Sequence, residues 1–86
     1  MKHKVFTVYD AKIEAYMSPF LMATKAQAIR TFGDTVNDEK NQRNKHPEDY
    51  TLFEIGEYDD NSGNYTMLSA KISLGLAKEF INTGAQ

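Results

Sequence analysis

The 86-residue sequence contains no cysteine and no tryptophan, and it has only two prolines. Without cysteine there can be no disulfide, no thiolate metal ligand and no cysteine nucleophile. No apolar run approaches the about 20 residues that span a bilayer, and the first ten residues alternate instead of forming a signal-peptide core. We therefore expect a soluble intracellular protein that makes no contact with membranes, in keeping with a reducing compartment.

The length leaves room for one modest core. A chain of this size buries about 60–65% of the surface that its unfolded form exposes, so oligomerisation would add useful stability. Five Phe and five Tyr are many for 86 residues and argue against disorder. We expect one domain over residues 1–86, with residues 82–86 as a flexible tail, and a homo-oligomer that is a dimer or larger.

Charge is unevenly distributed along the chain, whose net charge is −2. Residues 1–46 carry eight Lys or Arg against five Asp or Glu, whereas residues 47–86 carry two against seven. This asymmetry indicates a polar partner surface or head-to-tail self-association, unless the two halves do not correspond to surfaces in the fold.

The N-terminal residues have the pattern of a β-hairpin. Residues 3–9 alternate and are rich in β-branched and aromatic side chains, which predicts a strand. Residues 10–12 suit a turn, and residues 13–17 predict a second strand that ends at Pro19, since proline cannot donate to a ladder. So short a link favours antiparallel pairing.

One helix is clear from the sequence. Residues 24–27, TKAQ, have the form of a capping box, in which Thr24 and the Gln side chain satisfy each other's backbone N–H groups. Ala28 or Ile29, then Phe32 and Val36, recur at helical spacing and predict a buried stripe. The helix should end near Asn37. Gly33 lies within this pattern, where it either allows close packing or marks an early end.

The second half predicts another hairpin. Residues 38–49 hold no large apolar side chain and form a solvated connector. Residues 50–58 and 65–69 alternate on either side of a polar turn in which Gly63 suits positive φ. Simple alternation would place five residues of the first strand on one face, namely Tyr50, Leu52, Glu54, Gly56 and Tyr58. Residues 70–81 are ambiguous, and we expect an extended segment followed by a helical turn.

The order β-β-α-β-β predicts an α+β fold: a small antiparallel sheet of about four strands with one helix packed on one face. The other face should remain partly open. A single helix cannot cover every aromatic side chain of the strands, so some must lie on the open face or at an interface. The candidates are Phe6, Tyr9, Tyr16, Phe53, Tyr58 and Tyr65.

The sequence offers no enzyme site. His3 and His46 lack the paired spacing of metal ligands, and residues 59–63 resemble a calcium loop only in composition, because the ligand spacing and the distant Glu are missing. No phosphate-binding glycine motif or nucleophile–base arrangement is present. We expect no catalytic residue, no metal site and no cofactor.

Single-stranded nucleic acid is one possible partner. Proteins that bind it combine exposed aromatic residues with a basic groove. The candidate stacking residues are Tyr9, Tyr16, Tyr58 and Tyr65, and the candidate phosphate contacts are Lys2, Lys4, Lys25, Arg30, Lys40, Arg43 and Lys45. The sequence pI of about 5.6 counts against this interpretation. A protein interface would use the same aromatic residues, and both alternatives stay open.

Six segments carry a resemblance to a known family, and the stretch HPEDYTLFEIG and the stretch ISLG are the most specific. The chain resembles the small non-structural protein of gokushovirus-type microviruses, which are tailless phages with small circular single-stranded DNA genomes. The matching segments are residues 8–12, 19–20, 26–32, 36–38, 46–56 and 72–77. Some motif residues could simply define the fold: His46-Pro47 would set the start of a strand, and Gly56 would allow a β-bulge.

The resemblance implies a phage protein that is made in the host bacterial cytoplasm and is absent from the mature capsid. Its expected role is that of a non-enzymatic accessory protein in viral single-stranded DNA synthesis or packaging, binding single-stranded DNA. The alternative is a protein adaptor that docks on a phage or host replication component, or on a procapsid component, without touching DNA. The resemblance identifies no binding residues.

Overall fold

The computed structural model describes residues 1–81 and confirms the α+β class. The expected tail, residues 82–86, lies outside the described residues. The elements are β1 (Lys2–Asp10), β2 (Ala15–Tyr16), β3 (Phe20–Met22), α1 (Lys25–Val36), α2 (Gln42–Lys45), β4 (Tyr50–Asp59), β5 (Asn64–Leu76) and a 3₁₀ turn (Ala77–Phe80).

All strands join one antiparallel sheet in which β1 and β4 are central. β4 pairs with one edge of β1, β5 pairs with β4, and both β2 and β3 pair with the other edge of β1. The predicted N-terminal hairpin is confirmed, but its second strand is only two residues long, because residues 11–14 form the turn. The strand β3 was not predicted. It returns to β1 after the interruption at Pro19, which raises the strand number to five.

Helix α1 begins and ends where the sequence predicts. The hydroxyl of Thr24 accepts from the Gln27 N–H at 3.2 Å, and the Gln27 side chain accepts from the Thr24 N–H at 3.3 Å, which completes the capping box. Asn37 is the C-cap. The stripe of Ala28, Phe32 and Val36 is buried, as expected.

The core lies between α1 and one face of the sheet. The sheet contributes Phe6 and Val8 from β1 and Tyr50 and Leu52 from β4, all less than 9% exposed. Across from them the buried stripe of α1 packs, and Phe80 of the 3₁₀ turn meets a helix phenylalanine edge-on, with ring centroids 5.4 Å apart. Hydrophobic burial here is what holds the helix on the sheet.

A β-bulge at Ile55 corrects the predicted faces of β4. Val5 pairs with Gly56 and Phe6 pairs with Glu54, which leaves Ile55 between them without a partner in β1. Because neighbouring residues of β1 point to opposite faces, Glu54 and Gly56 must do so too. The prediction that Gly56 and Tyr58 share a face with Leu52 is therefore wrong, whereas the expectation of a bulge at this glycine is confirmed.

The remaining segments follow the predictions in part. The connector of residues 38–49 contains the short helix α2, which its polar composition did not indicate. The second hairpin is present, with Gly63 at φ 75° in its turn. Its return strand continues as β5 to Leu76, well past residue 69, before the 3₁₀ turn that the ambiguous segment was expected to form.

Two glycines give predictions of opposite sign. A Cβ at Gly56 would lie 2.7 Å from the Thr66 carbonyl oxygen, so β5 would have to move, and Gly56→Ala should destabilise the fold by about 1–3 kcal/mol. A Cβ at Gly33 would meet only Phe80, at 4.0 Å, so Gly33→Ala should stabilise α1 by about 0.5–1 kcal/mol. Urea unfolding of both variants tests this, and two shifts of the same sign would contradict the packing described.

Candidate functional site

The face of the sheet turned away from α1 is called the open face here. Residues paired across antiparallel strands share a face, so the register defines its members. They are His3, Val5, Thr7 and Tyr9 of β1, Tyr16 of β2, Leu21 of β3, Thr51, Phe53, Gly56 and Tyr58 of β4, and Tyr65, Met67, Ser73 and Leu76 of β5. The structure thus brings all four predicted stacking tyrosines onto one face.

The aromatic side chains of the open face form two clusters. In the first, Tyr9 and Tyr16 have ring centroids 4.7 Å apart, and Phe53 meets Tyr16 edge-on at 6.1 Å. In the second, Tyr58 and Tyr65 have centroids 4.7 Å apart, beside the ring of His3 at 6.5 Å from Tyr58. Tyr16 is 49% exposed and Tyr65 is 59% exposed, so each cluster presents one largely free ring.

A lysine that sequence reasoning missed completes the first cluster. The ammonium of Lys71 lies 5.3 Å from the centroid of the Tyr16 ring, a cation–π distance. Tyr16 is on β2 and Lys71 is on β5, at opposite edges of the sheet. Lys71 belongs to residues 68–71 of β5, which have no paired residue in β4, and its side chain reaches Tyr16 over the open face. A cation therefore lies beside the first aromatic cluster.

Carboxylates are excluded from the paired positions of this face. The four acidic residues that the register places in the strands, Asp10, Glu54, Glu57 and Asp59, all point to the side of the sheet that carries α1. A chain with a net charge of −2 thus presents, over the strand pairs of residues 1–81, an aromatic face without negative charge. Simple alternation from Leu52 already predicts the side of Glu54, but the sides of Glu57 and Asp59 could not be anticipated, because they depend on the bulge at Ile55.

One carboxylate lies at the margin of the open face, in the turn after β4. Asp60 accepts from the N-terminal ammonium at 2.7 Å and contacts His3 Nε2 at 2.8 Å. The hydrogen bond from the N-terminus, followed by that from His3, holds the pKa of Asp60 below its usual range. These two contacts hold the N-terminus against the turn after β4, beside the second aromatic cluster.

The seven predicted phosphate contacts lie elsewhere. Lys4 points to the helix side and pairs with Glu54 at 3.4 Å, and Lys2 shares that side by register. Arg43 is half-buried, with its guanidinium 5.7 Å from the Tyr50 ring and a buried Nε that has no hydrogen-bond partner. The other four, Lys25, Arg30, Lys40 and Lys45, are exposed on the helices and the connector. The structure does not bring these cations to the stacking tyrosines.

A polar cavity of about 370 Å³ lies at the end of β1 and β4, lined by Asp10, Lys12, Gln42, His46, Glu48, Asp49 and Tyr50. Donor atoms of His46, Glu48 and Asp49 lie within 4.8 Å of one another, although two of these three residues are exposed. Burial, then the neighbouring Asp10 carboxylate, raises the pKa of Tyr50. Main-chain bonds close the site, with the Ala11 N–H donating to the Asp49 carbonyl at 2.8 Å. This main-chain bond joins the connector to the end of β1.

These features define a small α+β protein with an aromatic sheet face. The family model described as "Phage ORF5 protein" matches residues 3–80. "Protein ORF5" of Chlamydia phage 1 is 34% identical over 71 residues, which cover 78% of this chain and 74% of that protein. The chain therefore belongs to the phage ORF5 family, and the resemblance to a small phage protein of the microvirus type is confirmed. No solved structure matches the chain significantly.

Neither comparison states a role for the family beyond its phage origin. Within residues 1–81, none of the helices has the length and apolar character that crossing a bilayer requires.

Proposed function

We propose that this phage ORF5 protein is a non-enzymatic accessory protein of viral single-stranded DNA synthesis or packaging, that it acts in the host bacterial cytoplasm, and that it binds single-stranded DNA on the open face. The observation that carries the proposal is the combination of exposed tyrosine rings with the absence of carboxylates from the paired strand positions of that face. Base stacking on aromatic side chains tolerates any sequence, because every base has a π-face.

The two aromatic clusters are suitably placed for an extended strand. They are centred near His3 and Tyr9 of β1, which are separated by about 20 Å at 3.3 Å per residue. Between them Val5 and Gly56 are buried, and Met67, which is 54% exposed, presents the apolar surface. One largely exposed ring in each cluster would stack a base, and phosphates would pass Lys71 beside the first cluster.

In this proposal Lys71 contacts phosphate, and the seven cations that the sequence predicted for this role do not. Lys71→Glu should weaken binding of a fluorescent single-stranded oligonucleotide by about tenfold, because it removes one phosphate contact and places a carboxylate beside the first aromatic cluster. The matched control is Lys40→Glu, an equal charge change at an exposed connector position. It should change affinity by less than about threefold, through long-range charge alone.

Fluorescence anisotropy at two salt concentrations measures both variants, with duplex DNA as a comparison. Salt-sensitive binding to single strands that Lys71→Glu weakens and Lys40→Glu spares supports the proposal. Equal losses from the two variants would move the binding surface to the helix side, and absence of binding by the wild-type chain at low salt would exclude a DNA-binding role for the protein alone.

The second candidate function is that of a protein adaptor which uses the same face. It is favoured by the exposed apolar side chains Leu21 and Met67, 40% and 54% exposed, beside the tyrosines, and by the presence of one lysine where a nucleic-acid groove usually has several cations. Aromatic residues and Met are enriched at protein interfaces. An adaptor would capture a phage or host replication or procapsid component, lose it on Tyr16→Ala or Met67→Glu, and show no affinity for the oligonucleotide.

A further inference from the structure

The polar cavity at the end of β1 and β4 carries an excess of negative charge. Its lining includes three carboxylates, Asp10, Glu48 and Asp49, against one ammonium, that of Lys12. Within residues 1–81 none of the three carboxylates forms an ion pair, and Lys12 is exposed. A cavity lined by charge of one sign concentrates ions of the opposite sign, so this cavity favours a cation.

Asp10 differs from an ordinary solvated carboxylate because it is only 6% exposed. It accepts a hydrogen bond from the main-chain N–H of Lys12 at 3.0 Å, which is a neutral donor. Burial and then the charge of Asp10 raise the pKa of Tyr50, so this neighbour is neutral as well. Buried charges in proteins are usually paired or coordinate a metal ion. A buried carboxylate with no ion-pair partner among the described residues therefore points to a cation from outside the chain.

Three side chains of the connector bring one imidazole and two carboxylates together at this cavity. Donor atoms of His46, Glu48 and Asp49 all lie within 4.8 Å of one another. Two ligands of one Zn²⁺ ion lie at most about 4 Å apart, since each bond is about 2.0–2.2 Å long. His46 and Glu48 are exposed, so rotation of their side chains is enough to close the difference.

The main chain holds these donors in place before any ion binds. The Asp49 N–H donates to the His46 carbonyl at 3.1 Å, which closes a four-residue turn with Pro47 at its second position. Two further bonds fix this turn to the fold: the Ala11 N–H donates to the Asp49 carbonyl at 2.8 Å, and the Lys78 N–H donates to the Pro47 carbonyl at 3.1 Å. A preformed site pays little ordering entropy on binding.

We propose that His46, Glu48 and Asp49 bind one divalent transition-metal ion of the Zn²⁺ type, with the buried Asp10 adding negative charge at the same cavity. An imidazole ligand favours Zn²⁺ over Mg²⁺ and Ca²⁺, which prefer oxygen ligands alone. The prediction of no metal site depended on the lack of paired histidines, whereas this turn supplies carboxylates as the other ligands. The site does not involve the open face, so it is independent of the proposed DNA binding.

Isothermal titration calorimetry of the full, untagged chain with ZnCl₂ tests the site. One Zn²⁺ ion per chain should bind with micromolar or tighter affinity, and Mg²⁺ should bind at least about 100-fold more weakly. His46→Ala and Glu48→Gln should each weaken Zn²⁺ binding at least about tenfold, because even the partners of metal ligands are typically worth about 10–100-fold. Both residues are exposed, so both variants should fold like the wild type.

The matched controls are His3→Ala and Glu39→Gln. His3 is the other histidine of the chain and lies near the start of β1, about 23 Å from Asp10 at 3.3 Å per residue. Glu39 is an exposed carboxylate of the same connector. Both variants should keep the Zn²⁺ affinity within about threefold of the wild-type value, since only long-range charge changes. Zn²⁺ binding that is lost with His3→Ala, or that survives both His46→Ala and Glu48→Gln, would overturn the proposal.

Thermal unfolding gives a second readout. An ion that binds only the folded chain stabilises it, so saturating Zn²⁺ should raise the melting temperature of the wild type by about 5 °C or more, and EDTA should reverse the shift. His46→Ala should lose this shift while its melting temperature without metal stays near that of the wild type. A wild-type chain that binds no Zn²⁺ at millimolar concentration, or an equal shift in His46→Ala, would reject the site. Oligonucleotide binding measured in EDTA reports on the open face separately.

Discussion

Replacing Phe6 by alanine should lower the free energy of unfolding by about 3–5 kcal/mol, the usual cost of removing a buried phenylalanine ring. Phe6 is 0% exposed, packs beneath α1 and lies 5.7 Å from the ring of Phe20, centroid to centroid. A chain of this length is expected to have a total stability of about 4–13 kcal/mol. The substitution therefore removes a large part of it, and a substantial unfolded population at 37 °C is expected.

The matched control is Tyr65→Ala on the other face of the sheet. Tyr65 is 59% exposed and touches mainly Tyr58, so its removal should cost at most about 1.5 kcal/mol, the value of one aromatic pair. Urea unfolding followed by circular dichroism measures both. If Tyr65→Ala destabilised the chain as much as Phe6→Ala, the assignment of covered and open faces would be wrong.

Replacing both Tyr16 and Tyr65 by alanine should nearly abolish binding of single-stranded DNA. Loss of one base–aromatic stack costs about 1–3 kcal/mol, so two should weaken binding by about 30-fold or more. The two residues carry the most exposed rings of the two clusters, and both lie outside the core. The loss should therefore be a loss of contact and not of folding.

The control variants for this pair are Tyr16→Phe and Tyr65→Phe. They keep the π-face and remove only the hydroxyl, so affinity should stay within about threefold of the wild-type value if stacking is the main term. Oligonucleotide titrations monitored by anisotropy give both results. Strong losses in the Phe variants would instead indicate hydrogen bonding by the hydroxyls, and an unchanged affinity in the Ala variants would remove the open face from DNA binding.

Local signals in the sequence were enough for most of the elements. The capping box at Thr24, the helical spacing of Phe32 and Val36, and the turn with Gly63 each depend on a few neighbouring residues, and the structure confirms them. β3 and α2 were missed because three or four residues carry little periodicity. Their structure depends on contacts distant in sequence, such as the pairing of Phe20 with Phe6.

Less of the candidate site than of the fold could be predicted from the sequence pattern. Alternation placed the tyrosines in strands, but a single unpaired residue, Ile55, decides that Tyr58 joins Tyr9 and Tyr16 on the open face. The cations could not be placed at all, since the side on which a helix or connector packs is a tertiary property. Lys71 was overlooked because its segment is ambiguous in sequence and its contact with Tyr16 spans the width of the sheet.

The central claim is that the open face is the surface that binds single-stranded DNA, and chemical-shift mapping tests it most directly. The ¹⁵N-labelled chain is titrated with a short single-stranded oligonucleotide, and amide shifts are followed residue by residue. We predict that the largest changes cluster at Tyr9, Tyr16, Tyr65 and Lys71, while Lys25 and Arg30 on α1 stay unshifted. Changes confined to α1 and the connector, or none at saturating oligonucleotide, would contradict the claim.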